Sequence, residues 1–254
     1  MTFGMPTLIE LRALEENIAL CRALGLGFVE LNMCLPQYQH IAQLPKMDDV
    51  FYTVHLDENC NPCDFNDRVA KAHTDTVLDI IRAAKQFGIP ILNMHLNGGV
   101  YFTLPDRKVY LYDVFAQEYL RKLIAFRDAC TAAIGNANIK ICVENGYGRT
   151  AFAEKSLNLL LESPIFALTF DIGHNAADGF VDEPLIMQRA NRLAHMHIHD
   201  ALGRDNHLVL GEGGLDLAKY LKLAKDHNCR CVLETKTVAG LKRSVAWLKE
   251  NNRF

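Results

Sequence analysis

Residues 166–171 read Phe-Ala-Leu-Thr-Phe-Asp, and residues 193–199 read Leu-Ala-His-Met-His-Ile-His. Each segment is a short run of strand-forming residues that ends in a side chain able to bind a metal ion. Runs of this length and composition are typical of buried β-strands. The stretch between them is long enough for a crossover helix, so the two segments predict neighbouring parallel strands.

The same pattern recurs along the whole chain. We predict strands at 3–10, 28–33, 51–56, 91–96, 139–145, 166–171, 193–199 and 229–235, and helices at 11–24, 67–87, 114–134, 215–227 and 239–251. Eight strands that alternate with helices in 254 residues predict an α/β fold, a closed (β/α)₈ TIM barrel forming one domain over residues 1–254. The alternative is an open doubly wound sheet, which usually carries a Gly-rich phosphate loop after its first strand. No such loop follows residue 10.

Composition and charge narrow the functional classes. The chain has 27 Lys and Arg against 30 Asp and Glu, a net charge of −3, and 50% hydrophobic residues. These values suit a soluble globular protein, and the slight acidity argues against a large nucleic-acid footprint. No apolar run is long enough to cross a membrane, and residues 1–10 lack the features of a secretory signal. We therefore expect a cytoplasmic protein without membrane contacts, whose oligomeric state is open.

Eight cysteines are spread along the chain. Several lie in apolar, strand-like segments, as buried free thiols do. Cys60 and Cys63 have the spacing of a zinc or redox pair, but no second pair lies nearby. We predict that they are free thiols.

Residues of metal-ligand type stand at the ends of six predicted strands. The carboxyl ends of barrel strands converge on one face, where active sites are built. Carboxylates buried together are costly unless cations neutralise them, so the pattern predicts a site for Zn²⁺, Mn²⁺ or Fe²⁺ rather than polar packing inside the barrel. The six residues are His55, His95, Glu144, Asp171, His197 and Glu234.

Further polar residues extend this set. His174 follows Asp171 by three positions, and Asp205 and His207 could bind one ion together if the chain between them is extended. Residues 97–113 make a long, aromatic segment, which we interpret as a hairpin or lid over the barrel mouth, or as a substrate-binding loop. Glu30 would lie near the mouth as a core polar group or a substrate contact, and His195 deeper in the barrel.

The ordered set of motifs resembles the xylose-isomerase-like TIM barrel superfamily. Within it, the ligand pattern is most similar to the endonuclease IV family (AP endonuclease family 2). The matching segments are Val54-His55, Asn93-Met-His95, Val143-Glu144-Asn145, Asp171-Ile-Gly-His174, His197-Ile-His-Asp200, Asp205-Asn-His207, Leu210-Gly-Glu-Gly213 and Leu233-Glu234-Thr235.

This resemblance implies a hydrolase of phosphoesters with up to three zinc ions. His55, His95 and Glu144 would bind the first ion, and Glu144 would bridge to a second ion that Asp171, His197 and Glu234 complete. His174, Asp205 and His207 would bind the third. Clustered metals can ionise a water molecule and orient a phosphate, and Glu144 would place the attacking hydroxide.

The chain departs from that family in its DNA-handling motifs. Leu56 replaces the Tyr that follows the first His ligand, and Glu144-Asn-Gly-Tyr-Gly148 replaces Glu-Asn-Thr-Ala-Gly. We therefore expect a small phosphoester or sugar phosphate as the substrate, with DNA as a weaker possibility.

A second hypothesis comes from the sugar isomerases and epimerases of the same superfamily. This resemblance implies one Mn²⁺ or Mg²⁺ ion held by Glu144, Asp171, His197 and Glu234, with Glu144 and Glu234 as the acid/base pair. Candidate substrate-binding residues are Arg204, Tyr101 and Asn145. A third hypothesis is a metal-dependent sugar-binding or scaffold protein without activity.

Overall fold

Eight parallel strands close into a barrel. The computed structural model describes residues 1–38, 41–45, 48–146 and 152–254, with the side chain of residue 42 also left aside. The strands follow each other around the barrel in chain order, and the last pairs with the first. The predicted (β/α)₈ barrel is therefore confirmed. The strands are β1 Thr2–Pro6, β2 Phe28–Asn32, β3 Phe51–His55, β4 Ile91–His95, β5 Lys140–Glu144, β6 Phe166–Asp171, β7 Leu193–Ile198 and β8 Arg230–Leu233.

Helices surround the barrel. The five predicted helices are present with small differences at their ends. The helices at 153–161, 172–177 and 183–188 and the single turn at 111–114 were not predicted. Between β2 and β3 the described residues form two 3₁₀ turns, Pro36–Tyr38 and Ile41–Gln43. The helices are α1 Leu14–Leu24, α2 Asp67–Phe87, α3 Leu111–Val114, α4 Ala116–Ile134, α5 Ala153–Leu161, α6 Ile172–Ala177, α7 Glu183–Gln188, α8 Leu217–Asp226 and α9 Val238–Glu250.

Helix α2 illustrates how local sequence sets these boundaries. It begins after Asn66, whose side-chain oxygen accepts a 3.0 Å hydrogen bond from the backbone N–H of Arg68. It ends at Gly88, which has a φ of 67° and donates its N–H to Ala84. A capping Asn at the start and a left-handed Gly at the end are the signals that predict this helix from sequence.

The barrel interior is polar above an aromatic floor. Glu30 on β2 bonds to His195 and His197 on β7, which is not a neighbour of β2, so these bonds cross the interior. The Phe28 ring lies one layer lower and fills the space left by Gly4 on β1. Apolar side chains pack outside the barrel against the helices. Above this floor, the interior therefore carries polar side chains that face the mouth.

Two hairpins lie at the mouth. Tyr101–Thr103 pairs antiparallel with Lys108–Tyr110, which confirms the hairpin interpretation of residues 97–113. A second hairpin after β7 joins Asp200–Leu202 to Asp205–Leu208. The first hairpin is largely exposed, with the Lys108 ammonium 4.3 Å from the centre of the Tyr101 ring.

The cysteines are free thiols, as predicted, and all except Cys34 are buried. Burial raises the pKa of the Cys60 and Cys63 thiols to about 12 in each case. Thiols of such high pKa are poor metal ligands and nucleophiles at neutral pH, because the thiolate is the reactive form. Separately, within the described ranges, no helix combines the length and apolarity needed to cross a membrane.

The floor of the barrel supports the first prediction. A Cβ at position 4 would lie 2.5 Å from the Phe28 ring, so Gly4→Ala should destabilise the protein by about 1–3 kcal/mol through overpacking. Gly98→Ala is the control, because none of the described residues lies within 4 Å of its added Cβ. Urea unfolding measures both changes, and equal stability of the two variants would contradict this account of the floor.

Candidate metal centre

The strand ends bring six potential ligands into one cluster at the mouth. Strand register places His95 beside Glu144 on neighbouring strands and Asp171 beside His197. Five of these side chains are buried, and that of His95 is 30% exposed. The predicted convergence at the mouth is therefore what the fold produces.

His197 lies at the centre of three carboxylates. Its Nδ1 is 3.4 Å from Glu144 Oε2, 3.4 Å from Glu234 Oε2 and 3.7 Å from Asp171 Oδ2. The other ring nitrogen, Nε2, is 2.9 Å from Glu30 Oε1. One imidazole nitrogen and three carboxylates therefore face a common point, and this donor set suits a divalent cation such as Zn²⁺ or Mn²⁺.

Several atoms of this cluster lack hydrogen-bond partners. In the described part of the chain, His197 Nδ1, Glu144 Oε1 and Glu234 Oε2 are buried and make no hydrogen bond. An unpaired buried carboxylate oxygen is costly, because it gives up water without a replacement. A bound cation would satisfy all three atoms, so the residues fit a metal ion.

The carboxylates are strongly biased towards the ionised form. Burial alone opposes ionisation of Glu144, but His95 and His197 outweigh it and hold the pKa of Glu144 well below its usual range. At Asp171, burial is likewise outweighed by the neighbouring His199, so its pKa is also well below the usual range. Ionised oxygens are the form that a cation requires.

His55 and His95 also approach the Glu144 carboxylate. Their Nε2 atoms are 3.6 Å and 3.4 Å from Glu144 Oε2. The Nδ1 of His55 is 2.8 Å from the carbonyl oxygen of Leu56, to which it can donate, which leaves Nε2 directed at the carboxylate. These three residues form a second group with metal-ligand geometry that shares Glu144 with the first.

The rim of the mouth carries His174 and His207. Their Nε2 atoms are 3.2 Å apart. Burial opposes protonation of His174, but Glu144 and Asp171 outweigh it and raise its pKa to about 9, whereas burial and His199 lower the pKa of His207 to about 4. His174 therefore donates to His207, whose Nδ1 donates to the carbonyl oxygen of Glu234 at 2.9 Å.

Asp205 does not join this rim group. Its side chain is exposed, and among the described residues it belongs to no group with metal-ligand geometry. His207 has a φ of 55°, so the chain around it is not in the extended conformation that would aim Asp205 and His207 at one ion. His199 contacts His207 instead. The Nδ1 atom of His199 accepts the backbone N–H of His207 at 2.7 Å, and its Nε2 atom donates to Asp171.

The residues predicted to bind substrate have different surroundings. Tyr101 is 44% exposed in the first hairpin, and Arg204 is exposed in the turn of the second hairpin. Asn145 uses its side-chain amide on the backbone of Asp171, accepting from its N–H at 2.6 Å and donating to its carbonyl at 3.1 Å. These two hydrogen bonds hold the backbone of Asp171 in position. Of the neighbouring motif residues, Tyr147 and Gly148 lie outside the described part.

Three residues at the site were not singled out from sequence. The Lys236 ammonium donates to Glu234 Oε1 at 2.6 Å, from a backbone with a φ of 57°. Thr169 donates to Asn93 Oδ1 at 2.5 Å, and the Asn93 amide in turn donates to Glu144 Oε2 at 2.6 Å. Asn93 and Thr169 stand two positions before a mouth residue on the same strand, a period-two signal that could have found them.

A small cavity opens beside the cluster. It measures about 160 Å³ and reaches from His55 to Glu234 and Lys236 across Thr7 and Asn32. Two of the six potential ligands, His55 and Glu234, therefore line the cavity together with the Lys236 ammonium, and the loop after β1 lines it as well.

The sequence pattern of the family described as "Xylose isomerase-like TIM barrel" matches residues 13–251. The chain belongs to this family. A relative from Methanocaldococcus jannaschii, the uncharacterized protein MJ1311, is 25% identical over 226 residues, which cover 84% of this chain and 73% of the relative.

Solved structures of other proteins share this fold. A D-tagatose 3-epimerase-like protein superposes with a TM-score of 0.76 at 23% identity, with 98% of this chain and 96% of that chain covered. The IOLI protein with a bound zinc atom superposes with a TM-score of 0.69 at 16% identity, with coverages of 100% and 98%.

The buried carboxylate cluster supports a prediction for metal removal. Chelation should lower the free energy of unfolding, by about 2.7 kcal/mol relative to protein at a metal concentration 100-fold above its dissociation constant. Asp171→Asn should remove most of this metal-dependent increment. The matched control is Asp216→Asn, which alters a helix N-cap of similar geometry away from the cluster. Thermal melts with and without added Zn²⁺ or Mn²⁺ measure the increment, and an equal increment in both variants would argue against the cluster as the binding site.

Proposed function

We propose that this protein is a divalent-metal-dependent isomerase or epimerase of keto sugars or their phosphates. The observation that carries the proposal is the group of three carboxylates around His197 Nδ1, with its unpaired buried oxygens beside a cavity of about 160 Å³. The metal would be held by Glu144, Asp171, His197 and Glu234. A cation bound there would polarise the carbonyl of a bound sugar and so acidify the adjacent C–H.

In this proposal, Glu144 and Glu234 act from different sides of a substrate. Glu144 ends β5 and Glu234 follows β8, and the strands β6 and β7 separate them around the barrel. Carboxylates that face a substrate from two directions can remove a proton from one face and return it to the other. This arrangement suits epimerisation, in which one carbon is inverted.

The proposed reaction is a balanced proton transfer. One glutamate takes the proton from the carbon beside the carbonyl, and the C–H electron pair becomes a C–C double bond while the carbonyl pair moves onto oxygen. A proton from His174, passed through the other glutamate, then returns to the same carbon for epimerisation, while the pair on oxygen re-forms the carbonyl. In isomerisation the former carbonyl carbon is protonated instead, and the hydroxyl on the first carbon gives up its proton to the enolate oxygen while its O–H pair forms the new carbonyl. No oxidant or reductant is required.

The hydrogen bonds to the two glutamates support distinct roles for them. Glu234 receives an ammonium from Lys236 and faces the cavity, where a charged base is needed. Glu144 receives the Asn93 amide on Oε2 and keeps Oε1 unpaired within 3.4 Å of His174 Nδ1. We infer that Glu234 removes the proton, and that Glu144 with His174 beside it exchanges protons on the other face.

The names of two structurally similar proteins support this proposal. The D-tagatose 3-epimerase-like protein is named for sugar epimerisation, and the IOLI structure holds zinc. Sugar epimerisation on this fold is therefore compatible with the cluster of His and carboxylate groups, and zinc is a suitable metal to test first.

A second candidate is hydrolysis of a phosphoester at a site with several metal ions. It is favoured by the group of His55, His95 and Glu144, which has ligand geometry beside the first group. The exposed side chain of Asp205 weakens the case for a third ion held as predicted, whereas His174 and His207 do form a group with metal-ligand geometry, together with His199. DNA as a substrate stays a prediction that nothing in the described structure favours.

Exchange of carbon-bound hydrogen with solvent tests the proposed chemistry. Ketohexoses and ketopentoses, free and phosphorylated, should gain deuterium next to the carbonyl when incubated with the metal-loaded protein in D₂O. Glu234→Gln and Glu144→Gln should each slow this exchange at least about 100-fold, since each removes an acid/base group. NMR measures the deuterium, and metal content is measured in parallel because both residues are proposed ligands. Exchange that is undiminished in both variants, or hydrolysis of phosphoesters with no exchange, would overturn the proposal, whereas sugar binding without either reaction would favour the non-catalytic hypothesis.

Metal stoichiometry separates the two candidate functions. We expect close to one ion per chain by elemental analysis of protein purified without chelator, unchanged by His207→Ala. This follows because His207 bonds to His174 and Glu234 and is absent from the proposed ligand set. About three zinc ions per chain, falling to two in the variant, would instead support the hydrolase.

A further inference from the structure

Glu30 is a buried carboxylate that no step of the proposed chemistry uses. It lies on β2, and its side chain is 3% exposed. Its Oε1 is 2.9 Å from His197 Nε2, and its Oε2 is 2.8 Å from His195 Nε2. The Thr53 hydroxyl also donates to Oε2, at 2.9 Å. Three donors from two strands thus converge on one carboxylate inside the barrel.

These contacts determine which ring nitrogen of each histidine carries a proton. An ionised carboxylate only accepts hydrogen bonds, so both Nε2 atoms must be protonated. The Thr53 hydroxyl and the two ring nitrogens all lie within hydrogen-bond distance of the Glu30 oxygens, as donors to an ionised carboxylate do. The Nδ1 atom of His197 is then the nitrogen left to face Glu144 and Glu234.

His195 shows the same selection one layer lower. Its Nε2 donates to Glu30, while its buried Nδ1 has no hydrogen-bond partner among the described residues. Glu30 therefore presents the Nδ1 atom of each ring as the unbonded one, but only that of His197 lies among the mouth carboxylates.

We propose that Glu30 is the positioning residue of the metal centre: by accepting both Nε2–H groups, it holds His197 with a bare Nδ1 directed at the ion. This inference rests on the proposed metal site, but not on the identity of the substrate. A carboxylate behind a ligand histidine orients the ring and makes the ligating nitrogen a stronger donor, and loss of such a partner typically weakens metal binding 10- to 100-fold.

The alternative is that Glu30 serves only the packing of the barrel. A packing residue would affect the stability of the metal-free protein, but not the choice of the ligating nitrogen. The two readings therefore differ in measurements made on metal binding and on the histidine ring itself.

The test combines zinc affinity with NMR of the histidine rings. Glu30→Gln keeps the shape of the side chain but offers one acceptor where two are needed. Glu183→Gln is the control, because Glu183 is a partly buried glutamate that bonds to Lys219 and Tyr220 instead of to a histidine of the cluster. Zinc affinity is measured by competition with a chelator. In ¹⁵N-histidine-labelled wild-type protein loaded with ¹¹³Cd²⁺, scalar coupling identifies the nitrogen of His197 that binds the metal.

The expected result is coupling to Nδ1 of His197 in the wild type, with Nε2 protonated. Zinc affinity should fall at least 10-fold in Glu30→Gln and stay within about threefold in Glu183→Gln. Coupling to Nε2, no coupling to His197, or unchanged affinity in folded Glu30→Gln would overturn the inference. If Glu30→Gln does not fold, the wild-type NMR result decides. Because neither measurement uses a sugar, failure of the proposed isomerase activity would leave this test intact.

Discussion

Four ionised carboxylates share the upper interior of one barrel, and the rest of the site depends on how their charge is balanced. Glu30, Glu144, Asp171 and Glu234 are each at least nine-tenths buried. Such crowding is tolerated only with compensating cations or donors. Histidines supply part of this compensation, and the unpaired oxygens of Glu144 and Glu234 mark where it is incomplete. A bound divalent cation would complete it.

The parallel barrel explains why these groups meet. All strand ends point to one face, so six distant segments of the chain contribute to one cluster without any local motif. The layer below is polar as well, with Thr53 on Glu30 and the chain from Thr169 through Asn93 to Glu144. Side chains in such connected networks have few alternative rotamers, so the ligands are held in place before an ion arrives.

Sequence reasoning predicted all eight strands and the mouth residues, because apolar runs that end in a polar residue are a local signal. It missed the hydrogen bonds of His195 and His197 to Glu30, because these bonds join strands on different sides of the barrel and no spacing along the chain encodes them. Lys236 was missed because its approach to Glu234 depends on a left-handed backbone just past a strand. Asp205 and His207 were expected to act together, yet the backbone conformation at His207 interrupts the extended chain that this required.

The most direct test of the account is anomalous diffraction from crystals grown with zinc or manganese. We expect the strongest anomalous peak within bonding distance of His197 Nδ1, with carboxylate oxygens from Glu144, Asp171 and Glu234 completing the shell. A strongest peak between His174 and His207, or an ion bound through His197 Nε2, would contradict it. A strongest peak at His197 Nδ1 would establish one metal ion inside the barrel as the basis of the chemistry.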